Sequence, residues 1–166
     1  MSIVINSEFV GKYSLNLNQY NIDKIDIYIE KYEKYYLSHL LGAELYALFI
    51  ADLDINNIPQ TSIYENIFNS FIIDYNSTVL SSNGIKEMLL GFIYYHITSD
   101  LIVNQTSIGG TKAKNENSTV MGKNASITTR FNEAIDTYKA IQCYILDNSV
   151  DYTTFNGQPI KYEYLF

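Results

Sequence analysis

Few side chains in this sequence can hold a metal or move a proton. His39 and His96 are the only histidines, and Cys143 is the only cysteine. They are zinc ligands in kind but not in spacing. No Cys-x-x-Cys, His-Glu-x-x-His or paired Glu-x-x-His of a di-iron bundle gathers them. The sequence therefore reads as two ordinary helical histidines and a small core cysteine on the last helix, with no metal and no cofactor. His96 and Asp100 lie one helical turn apart. A carboxylate that orients an imidazole is how a general base is built. No nucleophile in a sharp turn accompanies the pair, so no residue is assigned a catalytic role and no enzyme activity is expected. Gly109-Gly110-Thr111-Lys112 has the composition of a phosphate loop. It lacks the full Gly-x-x-x-x-Gly-Lys-Ser/Thr spacing and follows no apolar strand, which favours a flexible loop.

Charge narrows the field further. Eighteen acidic residues against 11 basic ones give a formal net charge of −7. A protein that grips nucleic acid as its main task carries a basic face. Arg130 is the only arginine, which argues against extensive bidentate phosphate recognition. An acidic chain can still line a channel through which DNA slides without sticking. The sign reverses locally, where Lys112, Lys114 and Lys123 outnumber Glu116. That patch either touches DNA or an acidic partner surface, or is a solvated loop tip.

Residues 1–20 show no basic region followed by an apolar run, so no secretory signal is expected. The triplets beginning at Asn76, Asn104, Asn117 and Asn124 then read as chance glycosylation matches in an Asn-rich chain. No stretch approaches the roughly 18 apolar residues of a membrane span. A single cysteine allows no internal disulfide and suits a reducing compartment, so the expected location is the cytosol. The 16 tyrosines reflect either an AT-rich genome or a tyrosine-rich interface.

The elements that must position these residues are mostly helical. Asn21 is placed to cap a first helix, with Asp23 and Asp26 in its first turn. Ile22, Ile25, Ile29, Tyr32, Tyr36 and Leu40 form its apolar stripe. Glu30 and Lys34 are spaced to pair on its outer face. Gly42 ends it, and a second helix over 43–53 turns Leu45, Leu48 and Phe49 inward. A turn over 54–60 ends in Pro59. Ser62 and Glu65 have capping-box spacing ahead of a helix carrying Tyr64, Ile67, Phe68, Phe71, Ile72 and Tyr75. The β-branched and aromatic content also allows that stretch to be extended. Residues 76–84 read as a polar loop. The clearest helix spans 85–103, with Met88, Leu89, Phe92, Ile93, Ile97 and Leu101 on one wide arc, and should be central.

Residues 104–126 are rich in Asn, Thr, Ser, Gly and Lys. They predict a protruding loop, or a hairpin around Lys114-Asn115-Glu116-Asn117. A helix over 127–148 returns with Phe131, Ile135, Tyr138, Ile141 and Ile145. The tail, 150–166, has an Asn156-Gly157 turn signal and then alternates Ile160, Tyr162, Tyr164 and Phe166 as a strand would. Such a lone strand must lie on the core or on a neighbour. The expected fold is thus mainly α. It is a single domain over 1–166, a bundle of about four to five helices with the loop 104–126 and an extended tail.

The order of several segments resembles a known family. They are Tyr35-Tyr36-Leu37-Ser38-His39-Leu40-Leu41-Gly42-Ala43-Glu44-Leu45-Tyr46, then Gly84-Ile85-Lys86-Glu87-Met88-Leu89-Leu90-Gly91-Phe92-Ile93-Tyr94-Tyr95. Glu116-Asn117-Ser118, Phe131-Asn132-Glu133-Ala134, Tyr138-Lys139-Ala140-Ile141-Gln142 and Phe155-Asn156-Gly157 follow. The series, running from about Ile22 to the end, resembles the head–tail connector or adaptor proteins of tailed phages, in the crAss-like branch. The resemblance implies a helical bundle that forms a ring of about twelve copies through a head-to-tail interface that closes on itself. It implies a virion neck protein, assembled in the host cytoplasm, that binds the portal on one side and the next neck or tail protein on the other. DNA would pass through the ring with only non-specific contact, and no membrane is involved. On that reading the interface residues are Lys112, Lys114 and Lys123 in the loop and Tyr162, Tyr164 and Phe166 in the tail. The alternative is a small cytosolic helical regulatory module that binds another protein, and a third class, a small helical enzyme, has only His96 and Asp100 as its seed.

Overall fold

Apolar residues recurring at threes and fours build the helices, and the computed structural model describes residues 2–15, 22–106, 109–112 and 125–163. The chain is mainly helical, with five α-helices among the described residues. The expected cap Asn21 lies outside them. In α1 (Ile22–Leu41), the stripe residues Ile25, Ile29, Tyr36 and Leu40 are buried together with Leu37 and Leu41. No ion pair joins Glu30 to Lys34 among the described residues.

Gly42 has φ of +82°, a left-handed backbone open to glycine at little cost, and this breaks the path between α1 and α2 (Ala43–Asp52). Leu45 and Phe49 point inward as expected, but Leu48 is 47 % exposed. The reason is a narrow contact: α2 packs mainly on α1, and Leu48 falls beyond its edge. Asp54 accepts the N–H groups of Asn56 and Ile58 at 2.8 and 2.9 Å, which closes the turn before Pro59.

Between residues 62 and 84 the capping box of Ser62 and Glu65 and the polar loop do not form, and of the two readings of 71–75 the extended one holds. Thr61 is the N-cap of α3 (Ser62–Phe68), and its hydroxyl donates to Asp52 without accepting an N–H of the helix. The helix then stops at Phe68. Residues Phe71–Tyr75 form β1, which pairs antiparallel with β2 (Thr78–Ser82), so 76–84 is not a polar loop. Period-two burial decides it: Phe71, Ile73 and Tyr75 are half-buried and Ile72 and Asp74 exposed. Asn76 and Ser77 sit at φ of +51° and +62°, as a two-residue hairpin of the primed kind demands.

The central helix is α4 (Ile85–Ile102). It contacts α1 and, most extensively, α5 (Ala125–Asp147). Phe92 is the shared core ring: it stacks on Tyr36 with centroids 3.9 Å apart and meets Phe131 edge-on at 5.2 Å. Gly91 lets α4 and α5 approach closely, because a Cβ there would lie 2.9 Å from that of Ala134. Past α4, β3 (Val103–Thr106) pairs with β4 (Gly109–Lys112). The Gly-Gly-Thr-Lys stretch is therefore a paired strand, not a flexible loop. The hairpin expected around Lys114–Asn117 lies outside the described residues.

Glycines decide where the tail can run. A Cβ on Gly42 would lie 2.7 Å from the carbonyl carbon of Asn156, and one on Gly157 would collide with the carbonyl oxygen of Leu40. Gly42→Ala should therefore destabilise the fold by about 2–4 kcal/mol, combining left-handed strain with overpacking against backbone. Urea unfolding followed by circular dichroism measures this; a loss under about 0.5 kcal/mol would mean that the crossing does not constrain the fold.

Candidate interaction surfaces

The last turn of a helix leaves carbonyls without intrahelical partners. At the end of α1 these are met by the returning tail. Gln158 N–H donates to the His39 carbonyl at 2.6 Å and Asn156 N–H to that of Leu41 at 3.3 Å. Gln142 on α5 donates through Nε2 to the carbonyls of Leu40 and Gln158, both at 3.1 Å. The Tyr138 hydroxyl donates to the same Gln158 carbonyl at 2.6 Å.

Farther along α5, Asn132, Asp136 and Lys139 follow at helical spacing and hold the rest of the described tail. Asn132 pairs with the Glu163 backbone in both directions, Nδ2 to O at 2.9 Å and N–H to Oδ1 at 3.0 Å. Asp136 accepts the Tyr162 hydroxyl at 2.6 Å, and Lys139 Nζ stands 3.3 Å from the Tyr162 ring centroid. Side chains thus take the place of a strand partner, and the tail has no strand through residue 163. Tyr162, expected at an interface, is half-buried against its own α5. Tyr164, Phe166, Lys114 and Lys123 lie outside the described residues, and of Lys112 the structure places the backbone, paired with Val103.

His96 and Asp100, the seed of a general base, are each taken up by a tyrosine of α1. The His96 Nε2 lies 2.7 Å from the Tyr36 hydroxyl, and its ring stacks on Tyr32 with centroids 3.7 Å apart. Burial raises the Tyr36 hydroxyl well above its ordinary pKa, so it stays neutral. Asp100 accepts the Tyr28 hydroxyl at 2.6 Å. Tyr95 on α4 donates to the carboxylate of Glu163, which ties this aromatic layer to the tail. His39 lies at the margin of the layer: its ring packs on Tyr35, with centroids 4.1 Å apart, and its Nδ1 lies 2.7 Å from the Tyr35 carbonyl oxygen. Among the described residues no group of His, Cys, Asp and Glu is arranged to hold a metal.

A residue that sequence reasoning missed organises the middle of α1. Glu33 is only 6 % exposed. It accepts the Ile3 N–H on both oxygens, at 3.0 and 2.9 Å, and the Val4 N–H at 3.1 Å. The available signal was its place among apolar neighbours: Ile29 lies one turn before it and Leu37 one turn after. By pinning residues 2–5 against α1, Glu33 shapes one wall of a groove of about 650 Å³ whose other wall is α2. Ile50 and Tyr46 reach it from α2, Ile29 from α1, and Val4 and Ile5 from the N-terminal segment. Beyond the groove, α2 and its turn leave Leu48, Ile55 and Ile58 at 47, 84 and 49 % exposure.

Glu33 also sets a pH signature. Burial pushes its carboxyl above the ordinary range, against the pull of the Ile3 and Val4 N–H groups. A carboxyl raised in the folded state binds its proton there first, so its contribution to stability grows as pH falls and is lost as pH rises through the raised value. Glu33→Gln should cost about 1–3 kcal/mol at neutral pH by orphaning a buried N–H. The stability gap to wild type should widen on acidification towards the ordinary carboxylate range, because only wild type gains a proton. Thermal melts across that range test it, and a gap that narrows would contradict the assignment.

No helix of the described residues is long and apolar enough to cross a membrane. Comparison of the chain with protein-family models, with curated proteins and with solved structures finds no match in any of the three.

Proposed function

We propose that this chain is a head–tail connector subunit of a tailed phage, a structural virion protein of the neck. It forms a ring on the portal, docks the next neck or tail component, and extends the DNA channel. It carries out no reaction; its task is geometric. The observation that carries the reading is where the resembling segments fall in the fold. Gly42 of the first segment meets Asn156 of the last, Gly157 of the last meets Leu40 of the first, and Gly91 of the second meets Ala134 of the segment Phe131–Ala134. Segments far apart in sequence are thus the ones that need small residues because they touch, so the series has a shared structural reason. Net charge of −7 suits a lumen that must not hold DNA. The apolar outer face of α2 supplies a docking surface of the kind an assembly subunit needs.

The second reading, a small regulatory module that binds one partner, draws on the groove between α1, α2 and the N-terminal segment. It differs in requiring no ring. Capture by portal complexes purified from virions of the encoding phage separates the two. Deletion of the whole tail is a poor control, since Tyr152 is 3 % exposed and part of the core. Truncation after Glu163 removes Tyr164, Leu165 and Phe166 and keeps every described tail contact. Full-length chain should bind the portal complex, and the truncated chain, with an unchanged melting temperature, should bind at least about tenfold more weakly, as expected for the loss of buried aromatic anchors. A folded full-length chain that binds neither the portal nor any other neck component would overturn the connector reading.

A further inference from the structure

We propose that the groove between residues 2–6, α1 and α2 seats the segment 113–124 of a second copy of this chain. The inference rests on the ring reading and names the contact by which one subunit holds the next.

The groove has a definite chemistry. Its floor is apolar, from Val4 and Ile29, and its walls stay open at Ile5 and Ile50, which are 53 and 37 % exposed. Its rim is acidic. Asp26, Glu30 and Glu33 line it against one cation, Lys34. Glu33 is committed to the backbone beneath, and Asp26 accepts a long 3.4 Å bond from Asn6. Glu30 is exposed and forms no ion pair among the described residues. A groove of about 650 Å³, with Val4 and Ile29 beneath and carboxylates at its rim, fits a short segment with an apolar centre flanked by cations.

In a chain of net charge −7, one stretch has that pattern. Val120-Met121 stands between Lys114 and Lys123, with a single acid, Glu116, among them. Methionine is unbranched and polarisable and fills irregular apolar grooves. Lysines on either side meet carboxylates across the rim, which fixes register and speeds encounter more than it adds raw affinity. A groove on one copy and a segment on the next make a head-to-tail contact, the kind that closes into a ring.

Two mixed-variant experiments on portal-bound assemblies test this, in a Cys143→Ser background whose fold is checked by circular dichroism. First, chains carrying Ile50→Cys are mixed with chains carrying Met121→Cys and oxidised. A disulfide between the two kinds of chain is expected, with far less when Ile72→Cys, on the outer face of β1, replaces Ile50→Cys. Second, the double variant Asp26→Lys with Glu30→Lys should lower ring occupancy on the portal at least about tenfold, and so should Lys114→Glu with Lys123→Glu. Combining all four substitutions in one chain should restore occupancy. Assembly in full copy number without the Ile50–Met121 disulfide, or with equal cross-linking at Ile72, overturns the groove contact and leaves the ring standing. A disulfide from Phe166→Cys to Ile50→Cys in its place would make the tail the occupant and also overturns it. Wild-type chains that never assemble on the portal bring down the ring reading and this contact with it.

Discussion

Three backbone carbonyls at the end of α1 have to find hydrogen-bond donors, and much of the molecule is arranged around that need. His39, Leu40 and Leu41 receive them from the tail backbone and from Gln142 on α5. The donors can reach only because Gly42 and Gly157 present no side chain where two backbones cross. One crossing thereby joins α1, α2, α5 and the tail. It sets the direction in which α2 leaves and the line along which the tail returns. Each bond has a net value of about 1 kcal/mol, but leaving a buried acceptor unmet costs more than making the bond gains. The crossing is therefore specified by what happens without it.

The remainder of the core uses aromatic rings where other small bundles use leucine. Tyr36, Phe92, Phe131, Tyr95 and His96 form a continuous layer between α1, α4 and α5. Tyrosine brings a large apolar face and a hydroxyl that needs a partner when buried. The partners here are His96, Asp100 and Glu163, the first two of them the pair spaced like the start of a general base. These bonds hold α1 and the tail against α4. At the N-terminal side, Glu33 does the same for residues 3 and 4. What the fold leaves open is apolar surface on α2 and its turn, together with the groove beside it. Those features suit a subunit that is completed by its neighbours.

The helices were legible because their burial is periodic. Ile25, Ile29, Tyr36 and Leu40 on α1, and Phe131, Ile135, Tyr138, Ile141 and Ile145 on α5, are buried where spacing placed them. For 71–75 the sequence left helix and extended chain both open, because Phe71-Ile72-Ile73 fits both periods, and 76–82 was misread as loop. Only packing on α5, together with the left-handed turn at Asn76 and Ser77, decides for a hairpin. Leu48 was misplaced because helical spacing does not show how narrow a contact will be. The carriers of long-range order, Glu33, Asn132 and Gln142, were not legible at all. Each is a polar residue whose partner is backbone 16 to 102 residues away, and backbone bonds leave no mark on the partner's identity. The surfaces proposed for assembly draw on both sources: charge pattern from sequence, and open apolar area from structure.

The account's central claim is that this domain is one of many identical subunits closed around a channel. Copy number tests it most directly. Native mass spectrometry of the chain assembled on purified portal complexes should give one discrete species, with a number of copies set by the portal's rotational symmetry, about twelve in a ring of the usual kind. One or two copies per portal, or a continuous spread of masses, would contradict a closed ring and leave the groove-bearing binding module as the better description.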